Sequence, residues 1–154
     1  MVAILFIIAV IFAIGAYKMH RSANRDEKEF ANRPAVISNP ATDLFTNQKY
    51  AIVGLIAIFQ GASPLTAYNE DVNNIMNDTT ASLGLTRQDV ERFIKNSMKR
   101  DPEREFERII LALKGIRDHN YIRQLKEKIS EIAHISGDID MIETVDEIFK
   151  ELGC

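Results

Sequence analysis

The chain divides sharply into an apolar beginning and a long mixed remainder. Val2–Ala16 is a run of fifteen residues without a charged or polar side chain, and every charged side chain lies after Tyr17. In a helix such a run spans only about 23 Å, against about 30 Å for the hydrocarbon layer of a bilayer. Tyr17 suits the interface, and Lys18 and Arg21 can extend their charges toward the lipid headgroups. The pattern therefore predicts a short transmembrane helix within residues 1–20.

A cleaved signal peptide is the alternative interpretation of this segment. Signal peptides begin with basic residues, which are absent here, although residues 13–15 would pass as a cleavage site. The positive charges lie on the other side of the run, at Lys18, Arg21 and Arg25. By the positive-inside rule, the N-terminus is outside and the following domain is cytoplasmic. We expect a single-pass protein of the inner (cytoplasmic) membrane.

The remainder of the chain predicts a helical domain behind a linker. The polar juxtamembrane linker, residues 21–42, contains Pro34 and Pro40, which favour an extended connection. Apolar residues then recur at helical spacing over residues 43–154, without the alternation typical of strands. The apolar run Tyr50–Phe59 predicts a central helix buried on nearly all faces. We predict an all-α fold, a compact bundle of about six helices, which begin near Asp43, Ser63, Thr86, Asp101, Asp118 and Met141.

Composition narrows the classes of function. The chain has 19 basic and 22 acidic residues and a net charge of −3, which argues against a nucleic-acid binder. Cys154 is the only cysteine, so an internal disulfide is excluded.

The last two predicted helices resemble a known family. Residues 132–143 (IAHISGDIDMIE) and 145–153 (VDEIFKELG) are similar to the signature of TerB-like domains, which are named for tellurite resistance. Residues 57–61 (AIFQG), Glu70 and residues 83–85 (LGL) resemble a looser second copy. The resemblance covers about residues 43–153 and implies a bundle with pseudo-symmetric halves. It also implies settings such as stress response, phage defence or membrane co-chaperones, although the His-Pro-Asp motif of a J-domain is absent.

The resemblance implies acidic metal ligands before the glycine of each half, but Gln60 and Ser136 occupy those positions. The first half also inserts residues 62–69. The acids that remain as ligand candidates are Glu70, Asp71, Asp138, Asp140 and Glu143. Their spacing does not fit an EF-hand. Capping of the helix starts explains them more simply, so we predict neither a metal site nor a cofactor.

The sequence contains no pattern typical of catalysis. Its histidines are His20, His119 and His134, and no metalloprotease, CxxC, nucleophile-elbow or phosphate-loop motif is present. Pairing of a histidine with Cys154 would require the C-terminus to fold back. We therefore predict no catalytic residues and a protein that is not an enzyme.

A polar second helix is the best candidate for a partner-binding surface. This helix contains Tyr68, Asn69, Asn73 and Asn77, of which the first two also belong to the inserted residues 62–69. Loops on rigid scaffolds often carry function. Charge alternates in sign along residues 101–108 and 123–131. That pattern is typical of a solvated helix face with pairs four residues apart, and could also serve as a docking surface.

These features favour a non-catalytic, membrane-anchored adaptor or accessory subunit. Its partners would be proteins, including membrane proteins, and its residues 2–17 would contact the bilayer. The first alternative is a metal- or oxyanion-responsive sensor, as the family resemblance implies. The second is a structural subunit of a larger membrane complex, because Ala9 and Ala13 would let another transmembrane helix approach closely.

Overall fold

The computed structural model describes residues 44–154. The predicted transmembrane helix and the linker lie outside the described residues. Within residues 44–154 the chain forms seven α-helices and no strand, so the all-α prediction is confirmed. None of these helices combines the length and the apolar character that crossing a membrane requires. The helices are α1 (Thr46–Gly61), α2 (Pro64–Ala67), α3 (Glu70–Ser82), α4 (Arg87–Ser97), α5 (Pro102–Lys114), α6 (His119–Ser136) and α7 (Ile139–Glu151).

Helix α1 is the centre of the bundle, as its apolar sequence predicts. Its side chains from Ala51 to Phe59 are almost all buried, and it packs against α2, α3, α4, α5 and α6. Gly54 allows this close approach, because a Cβ atom there would lie 3.1 Å from Phe93 of α4 and 3.2 Å from Ile109 of α5. The core around α1 includes Ile52, Leu55, Ile56, Leu113, Ile122, Ile129, Ile132 and Phe149.

Local sequence signals fix most of the helix starts. Asp118 accepts hydrogen bonds from the N–H groups of Asn120 and Tyr121 at 2.9 and 3.1 Å, and so caps α6. Thr86 and Asp89 form the predicted capping box at the start of α4. The Thr86 hydroxyl donates to the Asp89 carboxylate at 2.6 Å, and this bond holds the pKa of Asp89 below its ordinary value. Asp101 differs, because it precedes Pro102 at the expected place but makes no capping hydrogen bond.

The predicted second helix is wrong in one respect. It was expected to run unbroken from Pro64 to about Gly84, whereas the structure divides it into α2 and α3. Asn69 causes the break, because its backbone is extended and its side chain accepts from the N–H groups of Asp71 and Val72. This capping begins a new helix at Glu70 and raises the number of helices from about six to seven.

Helices α3 and α7 begin in the same way. Each has 13 residues and follows a residue whose side chain caps it, Asn69 for α3 and Asp138 for α7. The buried positions of α3, namely Val72, Met76, Thr79 and Thr80, correspond to Met141, Val145, Ile148 and Phe149 of α7. Every one of these pairs has the same separation along the chain. The two helices therefore present the same pattern of side chains to the core.

The two helices also end in the same way. A leucine in helical conformation is followed by a glycine with positive φ, 68° at Gly84 and 86° at Gly153. The next N–H group then donates to a carbonyl of the last turn, from Leu85 to Thr80 at 3.1 Å and from Cys154 to Phe149 at 2.8 Å. Such an ending satisfies carbonyl groups that the helix leaves free, and the left-handed conformation favours glycine. Both α3 and α7 thus close with a Schellman motif.

The helices that precede α3 and α7 end differently. Helix α6 stops at Gly137, which has a φ of 67°, and Asp138 then begins α7 directly. Helix α1 instead continues through Gly61, which is buried and helical. The inserted residues 62–69 consequently form the short helix α2 together with its two caps. This helix packs against α1 and α6.

Candidate functional site

The candidate site is the surface around α2, which the chain builds from residues 62–69. The Ser63 hydroxyl accepts a hydrogen bond from the Leu65 N–H at 3.2 Å, and Pro64 occupies the first helical position. The Ala67 N–H closes the turn on the Ser63 carbonyl at 2.8 Å. A capping serine followed by proline is a strong local signal for a helix start, which explains why so short a segment is helical here.

Thr66 fastens α2 to the end of α1. Its side chain is fully buried, and its hydroxyl lies within hydrogen-bonding distance of three carbonyl oxygens. The distances are 2.9 Å to Gln60, 2.9 Å to Ser63 and 3.3 Å to Phe59. The last carbonyls of a helix have no partner within the helix, so a buried hydroxyl beside them satisfies acceptors that would otherwise be costly. Ala67 is also buried, and together the two residues hold α2 in place.

Two large exposed side chains lie at α2, one within the helix and one at the residue that caps its C-terminus. Leu65 is 65% exposed and Tyr68 is 68% exposed. An aliphatic and an aromatic side chain, three residues apart along the chain, are thus exposed on one short, firmly held segment. The other large exposed apolar residues within 44–154 are Phe45, Leu111 and Ile139, which belong to other elements. Only α2 presents two of them within one turn.

The other predicted partner-binding residues lie at the start of α3 and along it, and not all of them face outward to bind. Asn69 is half-buried, and its carbonyl oxygen is occupied in capping α3 at 2.8 and 3.2 Å. Asn73 is exposed and accepts a 2.6 Å hydrogen bond from the side chain of Gln60. Asn77 lies one turn further along α3 and is half-buried. Asn69 is therefore a structural residue, whereas Asn73 and Gln60 form a polar pair beside α2, whose Thr66 bonds to the Gln60 carbonyl.

Leu65 is the residue that the sequence analysis missed. An unbroken helix from Pro64 would place Leu65 on the same buried stripe as Val72, seven residues later. The break at Asn69 changes the direction of the chain, and Leu65 faces solvent instead. The signal that could have revealed it is Asn69 itself, because asparagine is favoured as a helix cap and disfavoured inside a helix.

The acidic candidates for metal binding serve the helix starts or face solvent. Asp138 accepts from the Asp140 N–H at 3.0 Å, which is the capping role expected for it. Glu70 and Asp140 lie exposed in the first turns of α3 and α7, and Glu143 is exposed one turn later. Across residues 44–154, no three His, Cys, Asp or Glu side chains come together in a group that could hold a metal ion.

The titratable residues considered for catalysis are exposed where the structure describes them. His119 is the first residue of α6, and His134 near the end of that helix has its Nδ1 2.7 Å from the Ser130 carbonyl oxygen. Cys154 is exposed at the C-terminus. His20 lies outside the described residues. The histidine bond to the preceding turn is an ordinary helix contact, and it orients an imidazole without any partner for acid–base chemistry.

The two charge-alternating segments differ from the solvated faces expected of them. Glu105 is only 4% exposed, and its carboxylate accepts from Arg100 at 3.2 and 3.3 Å and from Arg108 at 3.0 Å. In the second segment Lys126 pairs with Asp146 of α7, and Lys128 donates to Thr79 of α3. The contacts of Arg100, Lys126 and Lys128 therefore connect separate parts of the bundle, whereas Arg108 pairs with Glu105 within α5.

Comparison of the chain with protein-family models, with curated proteins and with solved structures gave no match.

Proposed function

We propose that this protein is a non-catalytic, membrane-anchored adaptor or accessory subunit that binds a protein partner through α2. The observation that carries the proposal is the pair Leu65 and Tyr68, which stand exposed on a helix that the buried Thr66 holds in place. Protein interfaces concentrate their binding energy in a few anchors, among which tyrosine is enriched, surrounded by polar groups. Asn73 and Gln60 supply such a polar border.

The firm attachment of α2 supports this role. Binding costs less when the contacting side chains already hold their positions, because little ordering remains to be done. Thr66 and Ala67 are buried against α1 and α6, so α2 presents Leu65 and Tyr68 from a rigid support. Exposed apolar side chains of this kind commonly mark interaction sites.

We also propose that the domain is related to the TerB-like family. The matching caps, buried positions and Schellman motifs of α3 and α7 support a bundle of two related halves, as the TerB-like resemblance implies. In this view α2 is an insertion in the first half, since α6 and α7 are joined by Gly137 alone before the cap. The same resemblance leads us to place the protein in a stress-response or defence system.

The membrane anchor completes the proposal. The apolar run Val2–Ala16 would hold the domain at the inner membrane, and Lys18, Arg21 and Arg25 would keep it on the cytoplasmic side. The domain would then recruit its partner to the membrane surface.

The test is recovery of the partner by a variant that lacks the exposed pair. The tagged full-length protein is purified from native membranes in mild detergent, and the bound proteins are quantified by mass spectrometry. We expect the double substitution Leu65→Ser and Tyr68→Ser to reduce partner recovery at least tenfold, because anchor residues typically contribute about 2 kcal/mol or more each.

The matched control removes the same kind of surface elsewhere. Leu111 is 71% exposed on α5 and Ile139 is 70% exposed on α7. Leu111→Ser with Ile139→Ser should leave recovery unchanged, and neither double variant should alter the helical circular dichroism. Equal recovery by both variants would contradict the role of α2, and a protein that purifies alone would contradict the adaptor function.

A further inference from the structure

The outer face of α4 carries a row of positive charges. Arg92, Lys95 and Lys99 are all exposed, and their spacing places them on one side of the helix. Lys99 continues the row beyond the last helical residue, because its N–H still donates to the Asn96 carbonyl at 3.2 Å. Residues 92–100 contain four basic residues and no acidic one, in a chain whose net charge is −3.

The three charges of this row are not neutralised by the bundle. Within residues 44–154 the ion pairs involve other cations, among them Arg87, Arg100, Arg108, Lys114 and Lys126. Asp89 feels the charge of Arg92 one turn away, but its carboxylate is bonded to Thr86. The row therefore directs its charge into solvent.

The composition of the row fits a lipid surface better than a protein interface. Protein interfaces have a core of apolar and aromatic side chains and contain few lysines. None of the large exposed apolar residues in the described part of the chain belongs to α4. Long side chains with point charges, without an apolar anchor among them, suit the phosphate groups of an anionic bilayer, which are recognised by charge rather than by shape.

The proposed membrane anchor would bring this row of charges within reach of the bilayer. From Tyr17 to Asp43 the chain has 27 residues, which span at most about 90 Å when fully extended. A connection of this length turns contact with the bilayer into an intramolecular event, so a surface of only three charges suffices to bind. The cytoplasmic leaflet is the one that carries a negative surface potential.

We propose that Arg92, Lys95 and Lys99 of α4 bind the headgroups of anionic phospholipids in the cytoplasmic leaflet. The inference rests on the proposed membrane anchor. Helix α7 differs in charge, with six acidic residues and one basic residue over residues 138–151. Repulsion of these acids from the same leaflet would favour orientations of the domain in which α4, rather than α7, meets the lipid.

The experiment measures which face of the domain meets the lipid. The full-length protein carries Cys154→Ser and a single new cysteine, at exposed Gln88 on the α4 row or at exposed Glu147 on α7, labelled with a fluorophore. It is reconstituted into vesicles of phosphatidylcholine, with or without phosphatidylglycerol, that contain a headgroup quencher. We expect the label at position 88 to be quenched strongly only in anionic vesicles, and the label at position 147 to be unaffected.

Charge variants give the expected size of the effect. Each cation near an anionic surface strengthens binding about fivefold, so Arg92→Gln, Lys95→Gln and Lys99→Gln together should weaken docking about 100-fold. The matched control, with the same net charge, replaces exposed Arg104, Arg117 and Arg123 by Gln and should retain the quenching. Added salt should release the α4 label from the surface.

The outcomes separate this inference from the anchor on which it rests. Flotation of the protein with phosphatidylcholine vesicles tests the anchor alone, and failure to float would overturn both proposals. If the protein floats but position 88 is quenched equally in both lipid mixtures, or remains quenched in the triple variant, only the lipid-binding role of α4 is overturned. Absence of quenching would also overturn it and direct attention to an acidic protein partner.

Discussion

Thr66 shows how one side chain determines the position of a whole surface. Its hydroxyl lies 2.9 Å from the carbonyl oxygens of both Gln60 and Ser63, in a fully buried environment. The substitution Thr66→Val keeps the volume but removes the donor. We expect it to lower the free energy of unfolding by about 1–3 kcal/mol, because buried acceptors lose their partner. Urea unfolding of the full-length protein in mild detergent, followed by circular dichroism, measures this change.

Thr144 provides the matched control for this prediction. Its hydroxyl also donates to a backbone carbonyl, that of Asp140 at 2.7 Å, but at an exposed site where water can replace it. Thr144→Val should therefore change the free energy of unfolding by less than about 0.5 kcal/mol. Equal effects of the two substitutions would mean that the buried contacts of Thr66 do not hold α2.

Glu105 marks a limit of sequence reasoning at the residue scale. Residues 101–108 alternate in charge, and the same alternation occurs on solvated helix faces. What distinguishes Glu105 is its position on the side of α5 that turns inward, where Arg100, from the turn before the helix, can reach it. That contact depends on how the turn after α4 brings Arg100 over α5, and no local pattern encodes it.

At the scale of elements, the caps predicted from sequence differ in what their side chains do. Asn69 and Asp138 both accept hydrogen bonds from the first turn of the helix they precede, whereas Asp101 does not. We expect Asn69→Ala and Asp138→Ala each to cost about 1 kcal/mol of stability, since backbone N–H groups lose their acceptor. Asp101→Ala should cost less than half as much. Urea unfolding of the full-length variants gives the comparison, and an equal cost for Asp101→Ala would contradict it.

The elements also show why some of the fold was predictable and some was not. The central helix α1 follows from an apolar run with no polar face, and the starts of α4 and α6 follow from capping residues. The break between α2 and α3 does not follow from the sequence pattern, because Leu65, Tyr68 and Val72 keep a helical spacing across it. The helical spacing of side chains continues across Asn69, but the helical backbone does not. The preference of asparagine for a capping position is a weaker signal than that spacing, yet it decides the structure here.

At the scale of the whole molecule, the surface chemistry is divided between elements. Helix α2 presents an apolar pair, α4 a row of cations, and α7 a concentration of acids. The sequence identifies the charges, but not that Arg92, Lys95 and Lys99 make no ion pair within residues 44–154, while Lys114 of α5 and Lys126 of α6 pair with acids of α7. Such a division suits the two roles proposed above, partner binding by α2 and lipid binding by α4.

Exchange of the proposed membrane anchor distinguishes two ways in which this protein could join a larger complex. An adaptor that binds through α2 needs residues 2–17 only as an attachment, so an unrelated transmembrane helix of similar length should preserve recovery of the partner. A structural subunit that packs through Ala9 and Ala13 should lose it, because those small residues would form the helix contact. Lys18 and the residues after it are kept in the exchange, so that the orientation of the chain does not change. Affinity purification with quantitative mass spectrometry gives the answer. We expect recovery within about twofold of the original protein, because the proposed contact lies at Leu65 and Tyr68 rather than in the membrane helix. A complete loss would assign the contact to the membrane helix.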